Sequence, residues 1–266
     1  MKIRISGARG ELGGQLLTLF SAAQVDVAPL NCHIQEEHLD MVIHLAAKLK
    51  TASITELIAS NLTYLQEVLS YCQITKPGVL IYASSISLYG NSCERVLDET
   101  MPSSCSDAYS CSKFLGEQLV AASLVPSLII RLPAVLELIK TTNFISSLYQ
   151  RLSLGAVIHV HNPDQPFNHF IGAEEFYSFL ISLTAPFDGC ELVNLAAASS
   201  ETLRTICQYL KEIIGSRSEI IPSPSSSPHR VISIQKACQR YSYQAPEVFK
   251  SLQRWVEKRK KACIPL

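Results

Sequence analysis

The stretch Lys2-Ile3-Arg4-Ile5-Ser6-Gly7-Ala8-Arg9-Gly10-Glu11-Leu12-Gly13 decides the reading of the chain. Lys2 to Ser6 alternates towards an apolar strand. Gly7, Gly10 and Gly13 follow, and Leu12, Leu16, Leu17 and Phe20 then recur at helical spacing. A strand, a glycine turn and a helix in that order form a phosphate cradle. Glycine permits the tight turn, and backbone N–H groups at the helix N-terminus can approach a pyrophosphate. The spacing departs from G-x-G-x-x-G, so the strand-to-helix context carries the dinucleotide reading. Gly7, Arg9, Gly10, Glu11, Leu12 and Gly13 are the candidate cofactor contacts.

Working outward, strands are expected at Val25–Ala28, Met41–Leu45, Val79–Ala83 and Ser127–Arg131. Helices are expected at Ile54–Tyr71 and Asp107–Ala122, the latter capped by Asp107. Met41 to Leu45 is continuously apolar, as in a parallel strand buried on both faces. Alternating strands and helices imply a parallel sheet covered by helices. The stretch between Ala28 and Met41 is too short for a crossover helix plus a strand, so one edge unit is shortened. Beyond Arg131 the character changes. Helices are read at Phe144–Leu154, Glu174–Leu183, Thr202–Ile214 and Glu247–Lys258, and a strand at Val193–Leu195. His159–Asn168 reads as a loop and Ser223–Pro228 as irregular.

The 266 residues suffice for a large core, and 47% are hydrophobic against 17% charged, which excludes disorder. Lys plus Arg and Asp plus Glu are 23 each. That balance gives no support to a nucleic-acid partner and leaves self-association as a homodimer open. No signal peptide is expected. The most apolar window, Leu119–Ile139, is broken by Pro126, Arg131, Pro133 and Glu137, so no membrane span is expected. The nine cysteines include no C-x-x-C pair. No metal is expected, and the cysteines read as reduced and mostly buried, hence a cytoplasmic location. Cys263-Ile264-Pro265-Leu266 formally matches a prenylation box but reads as an exposed basic tail.

Chemistry concentrates on Ser85, Tyr109 and Lys113. Tyr109 and Lys113 are four apart on a helix and so share a face. A nearby ammonium lowers a phenol's pKa, which would let Tyr109 move a proton near neutral pH. Ser84 and Ser85 end an apolar strand, where ligands bind in parallel sheets. His44 reads as a core histidine.

With these residues in order, the chain resembles the extended short-chain dehydrogenases/reductases, in the NAD(P)-dependent sugar-nucleotide epimerase/dehydratase family. The resemblance rests on Gly7–Gly13, Asp40–Ala47, Asn61, Ala83–Gly90, Tyr109–Lys113, Ile130–Pro133, Phe170–Glu175, Val193–Leu195 and Arg230–Ala237. It implies an α/β fold: a Rossmann-type doubly wound parallel sheet, one edge unit shortened, with a small C-terminal α/β substrate-binding part. The expected division is a cofactor domain at 1–132 and a substrate domain at 133–266, with 159–183 and 190–196 returning to the first.

The resemblance also implies roles. Lys113 would bind the nicotinamide ribose, Tyr109 would be the acid/base and Ser85 would hold the same substrate oxygen. Ser87 would line the sugar pocket. Leu45, Ala46 and Ala47 would border the cofactor, and Asn61 would steady the site from behind. Arg230 matches a diphosphate-binding arginine, and Asn168 stands where another arginine is common. Ile86 and Ser87 replace the Asp-Glu pair of dehydratases, which disfavours water elimination. Ala134 and Glu137 also depart from the pattern. The end of the second strand, Ala28-Pro29-Leu30-Asn31, lacks the carboxylate typical of NAD enzymes. Asp26 falls inside that strand. Arg9 resembles the glycine-turn arginine of GDP-fucose synthases, which meets a 2′-phosphate, so NAD(P) is expected with NADP preferred. The activity implied is an epimerase or 4-ketoreductase acting on a nucleotide sugar. A cofactor-binding regulator without turnover and a reductase of a non-sugar carbonyl remain alternatives.

Overall fold

A computed structural model describes residues 1–34, 38–136, 143–184, 186–198, 200–223 and 230–261. Glu137, most of the Ser223–Pro228 stretch and the Cys263–Leu266 box lie outside these residues. In chain order, β1 (Lys2–Ser6) leads through the glycine turn to α1 (Glu11–Ala22) and β2 (Asp26–Pro29), and the chain returns to β3 (Met41–His44). Next come α2 (Ile54–Leu57), a π-helical turn (Ile58–Thr63) and α3 (Tyr64–Thr75), then β4 (Val79–Ser85), a 3-10 turn (Ile86–Tyr89) and β5 (Val96–Leu97). α4 (Ala108–Ala122) precedes β6 (Ser127–Leu132), β7 (Ala134–Val135), α5 (Phe144–Ser153), β8 (Ile158–His161) and β9 (Phe170–Ile171). The remainder is α6 (Ala173–Ser182), β10 (Cys190–Asn194), α7 (Leu203–Ile214), β11 (Ile220–Ser223), β12 (Val231–Ile232), α8 (Gln235–Tyr241) and α9 (Val248–Lys261).

Six parallel strands form the central sheet in the order β10-β6-β4-β3-β1-β2. β2 is the edge, and the chain passes from it to the far side of β1 with no described helix between. β3 and β6 are buried along their whole lengths, His44, Ser127 and Arg131 included, as central parallel strands covered on both faces require. One face of the sheet packs with Leu16 and Phe20 of α1 and Phe176 and Phe179 of α6. The other packs with Leu65 and Val68 of α3 and Val120 of α4. A separate core joins α5, α7 and α9 around Leu148, Leu210 and Trp255.

Several boundaries differ from the sequence reading. The helix expected over Ile54–Tyr71 is interrupted by the π turn, which carries the buried Asn61. β8 falls in the segment read as a loop, and β11 was not foreseen. They pair with each other as a two-stranded sheet apart from the central one; β8 buries alternate residues and β11 buries none fully. The cysteines are not mostly buried. Among the eight described, Cys93, Cys105, Cys111, Cys190 and Cys238 are exposed. No described helix is long and apolar enough to cross a membrane.

A buried ion pair ties α4 to the sheet. Glu117 accepts from Arg131 Nε at 3.0 Å and from its NH2 at 2.8 Å, and from Ser84 Oγ at 2.6 Å. Arg131 also donates to Ser103 Oγ at 2.9 Å and lies over the Tyr89 ring. Removing one partner of such a pair leaves the other charge buried alone. Arg131→Met should therefore lower stability by about 3–5 kcal/mol. Urea denaturation measures this, and a loss under about 1 kcal/mol would put the pair in the class of exposed ones.

Candidate active site

At the glycine turn the backbone packs too tightly for side chains. Gly7 has a φ of +74°, and a Cβ there would stand 2.6 Å from the Ala46 nitrogen. A Cβ on Gly13 would stand 2.3 Å from the Gly7 carbonyl oxygen. Gly10 N donates to that same carbonyl at 2.8 Å and caps α1 without a side-chain hydrogen bond. The N-terminus of α1 thus follows a turn packed directly against the Leu45–Ala46 backbone after β3. Leu12 and Leu45 back the turn against the core, and Glu11 is the first residue of α1. This cradle fits a dinucleotide pyrophosphate.

Arg9 is exposed and lines a cleft of about 550 Å³ with Pro29 to Ile34, Tyr64 and Glu67. Asp26 is not available to this cleft. Its Oδ1 accepts from the buried Arg4 at 2.9 Å, at the opposite end of the short β2.

Asn61 ties two parts of the site together. Its Oδ1 accepts from Lys48 N at 2.7 Å, and its Nδ2 donates to Lys48 O at 3.1 Å and Ser112 Oγ at 2.9 Å. The loop after β3 is thereby fixed to the helix carrying Tyr109 and Lys113. An ion pair between Lys50 and the cap residue Asp107, at 2.9 Å, reinforces this.

Ser85 ends β4 and caps the 3-10 turn, accepting from Ser87 N at 3.1 Å. The Ser85 side chain acts on the Tyr109 phenol and favours its charged form. Ser87 Oγ is buried and has no hydrogen-bond partner among the described residues. Lys113 is fully enclosed. Its Nζ donates to Ala83 O at 2.7 Å and lies 5.0 Å from the Tyr82 ring centroid. Burial lowers the Lys113 pKa to about 8, with Glu117 opposing the shift.

The expected depression of the Tyr109 phenol by Lys113 is corrected here. Burial pushes Tyr109 up, the Ser85 side chain offsets part of this, and Asp107 adds to the rise. The physical reason is burial of the phenol, and the Lys113 ammonium meanwhile donates to the Ala83 carbonyl.

The two candidate substrate residues separate. Asn168 is buried, and its Nδ2 donates to Ala197 O at 3.2 Å and Ile232 O at 2.8 Å. Its Oδ1 accepts from Ile232 N at 3.0 Å. It is a backbone bracket for β12 with no face left for a ligand, which corrects the expectation that it meets substrate. Arg230 is only partly buried. Its guanidinium donates to the Gly90 carbonyl, at the end of the Ser85–Tyr89 turn, and its own carbonyl meets His169 Nε2 at 2.7 Å.

Two features were missed in the sequence. Glu117 lies four residues after Lys113 and so on the same face, a signal that was available. Tyr89 and Asn194, joined at 2.8 Å, are far apart in the chain, and no local pattern announces them. Among the described residues no cluster of His, Cys, Asp and Glu could hold a metal ion.

Residues 14–135 match the model of the NAD dependent epimerase/dehydratase family. This segment, just under half of the chain, is similar to that family. It contains Asn61, Ser85, Tyr109 and Lys113. The chain also superposes on solved structures over nearly its whole length. UDP-glucose 4-epimerase of Thermotoga maritima, with UDP-glucose, gives a TM-score of 0.80 at 16% identity, covering 99% of this chain and 100% of that one. UDP-glucuronic acid 4-epimerase of Bacillus cereus, with NAD, gives 0.78 at 16%, covering 97% and 99%. RMD of Pseudomonas aeruginosa, complexed with NADPH, gives 0.79 at 18%, covering 98% and 100%. At such identities the likeness establishes the Rossmann-type fold. No curated protein matches the sequence.

His44, beneath the cradle, yields a pH prediction. Its Nδ1 meets Ser6 Oγ at 2.7 Å, its ring stacks on Tyr82, and its Nε2 is unpartnered among the described residues. Burial, helped by the Lys113 charge, lowers its pKa from 6.5 to about 3. Between these values the unfolded chain binds a proton that the folded chain does not, so stability is lost as pH falls through that window. The slope contributed approaches about 1.4 kcal/mol per pH unit. His44→Gln should have a shallower loss of stability between neutral pH and the acid limb, read by urea titrations at successive pH values.

Proposed function

We propose that the chain is a nicotinamide-dependent epimerase or 4-ketoreductase of a nucleotide-linked sugar. The observation carrying this reading is Lys113, enclosed on the helix that bears Tyr109 and bonded to the Ala83 carbonyl of β4, whose last residue is Ser85, with the glycine cradle at the end of β1. The cradle residues Gly7, Gly10 and Gly13 would hold the pyrophosphate, and Leu45, Ala46 and Ala47 would border the cofactor. When bound, the nicotinamide supplies a hydride acceptor or donor. Tyr109 moves the proton of the sugar hydroxyl or ketone, and Ser85 fixes that oxygen at hydrogen-bond distance. Lys113, held at the Ala83 carbonyl, would offer its ammonium to the ribose. Ser87, with its free hydroxyl, and Arg230 would contact substrate, Arg230 through the diphosphate. Ile86 and Ser87 offer no acid/base pair for water elimination, which favours epimerisation or ketone reduction over dehydration.

The decisive experiment is incubation with a panel of nucleotide sugars and nucleotide 4-ketosugars, with product NMR. A reductase consumes reduced cofactor and an epimerase leaves it unchanged. Tyr109→Phe should lower turnover by about 10²-fold or more with little change in cofactor affinity. Wild-type turnover in that variant would remove Tyr109 from the chemistry.

For the cofactor we propose NADP. The end of β2 carries no carboxylate, and Arg9 stands free on the adjoining cleft. Glu67 is the opposing charge there. Arg9→Ala should weaken NADP selectively, on the order of tenfold, the scale of one charge-assisted hydrogen bond. Fluorescence titration of both cofactors reads this, and equal effects on NAD and NADP would refute the role.

A further inference from the structure

Three helices of the C-terminal half end on one face of the molecule. α5, α7 and α9 share a core around Leu148, Leu210 and Trp255. Hydrogen bonds tie their ends together. Ser216 Oγ and Ser218 Oγ, just past α7, both donate to the Leu152 carbonyl in the last turn of α5. Lys260 Nζ, at the end of α9, donates to the Ile213 carbonyl of α7 at 2.7 Å. The opposite ends of α5 and α7 meet the segment before His169. Phe144 packs on Phe167 there, and Pro166 bridges to Thr202. His169 in turn joins Arg230. A helix rises about 1.5 Å per residue, so α5 and α7 hold their common end about 15 Å or more from that segment.

The charge of this face is unpaired. Arg151, Lys211, Arg217, Lys260 and Lys261 make no ion pair among the described residues, and all but Lys211 are exposed. Arg151 and Lys260 donate to carbonyls, of Val157 and Ile213, which leaves their charge in place. One turn back on α9, by contrast, Arg254 and Lys258 are neutralised by Glu174 and Glu175. The acids of the face are Glu212, Glu219 and Glu257, so five cations stand against three carboxylates in a chain of zero net charge. An apolar turn adjoins them. After α5 the chain reverses through Gly155 at a φ of +70°, and Leu154 and Val157 are 71% and 43% exposed. A cation in the last turn of a helix offsets the helix dipole. That role does not account for Arg217 beyond α7 or for Lys261 directly after Lys260. A lone exposed leucine is ordinary. Beside unpaired cations it gives the pattern of a surface that binds at a lipid interface.

We propose that this end of the α5–α7–α9 bundle docks on an anionic lipid surface, with Arg151, Arg217, Lys260 and Lys261 at the head groups and Leu154 among them. Charge complementarity selects the anionic surface. Each Lys or Arg near it adds an attraction that falls off within a Debye length. The long apolar stems of these residues lie along the interface while their charged heads stay in water. Leu154 adds apolar area that only a membrane can bury. The three carboxylates limit the attraction, so the association is reversible and sensitive to salt. Held this way, the chain keeps Arg230 and the His169 segment clear of the lipid.

The test is sedimentation of the full chain with vesicles. One set is phosphatidylcholine with about a third phosphatidylserine, and the other is phosphatidylcholine alone. The chain should sediment with the first set at low salt, be released by high salt, and stay in solution with the second. Arg217→Ala combined with Lys261→Ala removes two cations that make no hydrogen bond among the described residues. That double variant should bind anionic vesicles about tenfold more weakly or worse. Leu154→Ser should weaken binding on the order of tenfold and leave its salt response unchanged. All three side chains are exposed, so the substitutions leave the fold intact. Absence of sedimentation with anionic vesicles, equal sedimentation with both sets, or full binding by the double variant would each overturn the docking. Full binding by Leu154→Ser would overturn the membrane as the occupant, since a soluble polyanion such as a nucleic acid needs the cations and not the leucine. Sedimentation does not depend on turnover, so the docking and the activity proposed above stand or fall separately.

Discussion

The buried pair of Glu117 and Arg131 is the constraint on which the rest of the site depends. Arg131 leaves β6, and Glu117 rises from the helix that bears Tyr109 and Lys113. Two charges removed from water are stable only where geometry and extra hydrogen bonds satisfy them. Here Ser84, Ser103 and the Tyr89 ring complete the set. Tyr89 in turn donates to Asn194 on β10, and Asn194 N donates to Glu99 Oε1 at 2.7 Å. One network thus fixes the helix, the ends of three strands and the Ser85–Tyr89 turn in mutual register. The strand end that carries Ser85 and the helix that carries Tyr109 are thereby tied together.

On the cofactor side, burial controls charge. Lys113 and His44 share a closed pocket with Tyr82, and their influence is mutual. The ammonium helps keep His44 neutral, and burial brings Lys113 towards the neutral-pH range. Tyr82 and His44 each retain a polar atom without a partner among the described residues. Such atoms are costly in a core unless function or bound water accounts for them. Their position directly behind the strand ends concentrates that cost at the site.

The C-terminal half is attached by backbone brackets. Asn168 clasps β12 and the Ala197 carbonyl, and Asn194 donates to Leu97 O and Ser233 O. These amides hold Arg230 beside Gly90 without themselves facing a ligand. A polar residue near a pocket can be structural, and its completed hydrogen bonds distinguish it from Ser87.

The sequence by itself determined the alternation of strands and helices, the glycine turn and the grouping of Ser85, Tyr109 and Lys113. These are local patterns: apolar runs of strand length, helical spacing, a cap at Asp107 and glycine at positions where a Cβ would collide. The tertiary structure decided the rest. Asn61 in a π turn, the direction of Lys113, the raised phenol of Tyr109, the role of Asn168 and the meeting of Tyr89 with Asn194 depend on contacts between distant segments. Burial and hydrogen-bond completion are properties of the packed chain, and no spacing along the sequence encodes them. The exposed cysteines make the same point. Their residue type argued for the interior, and only the fold left Cys93, Cys105, Cys111, Cys190 and Cys238 exposed.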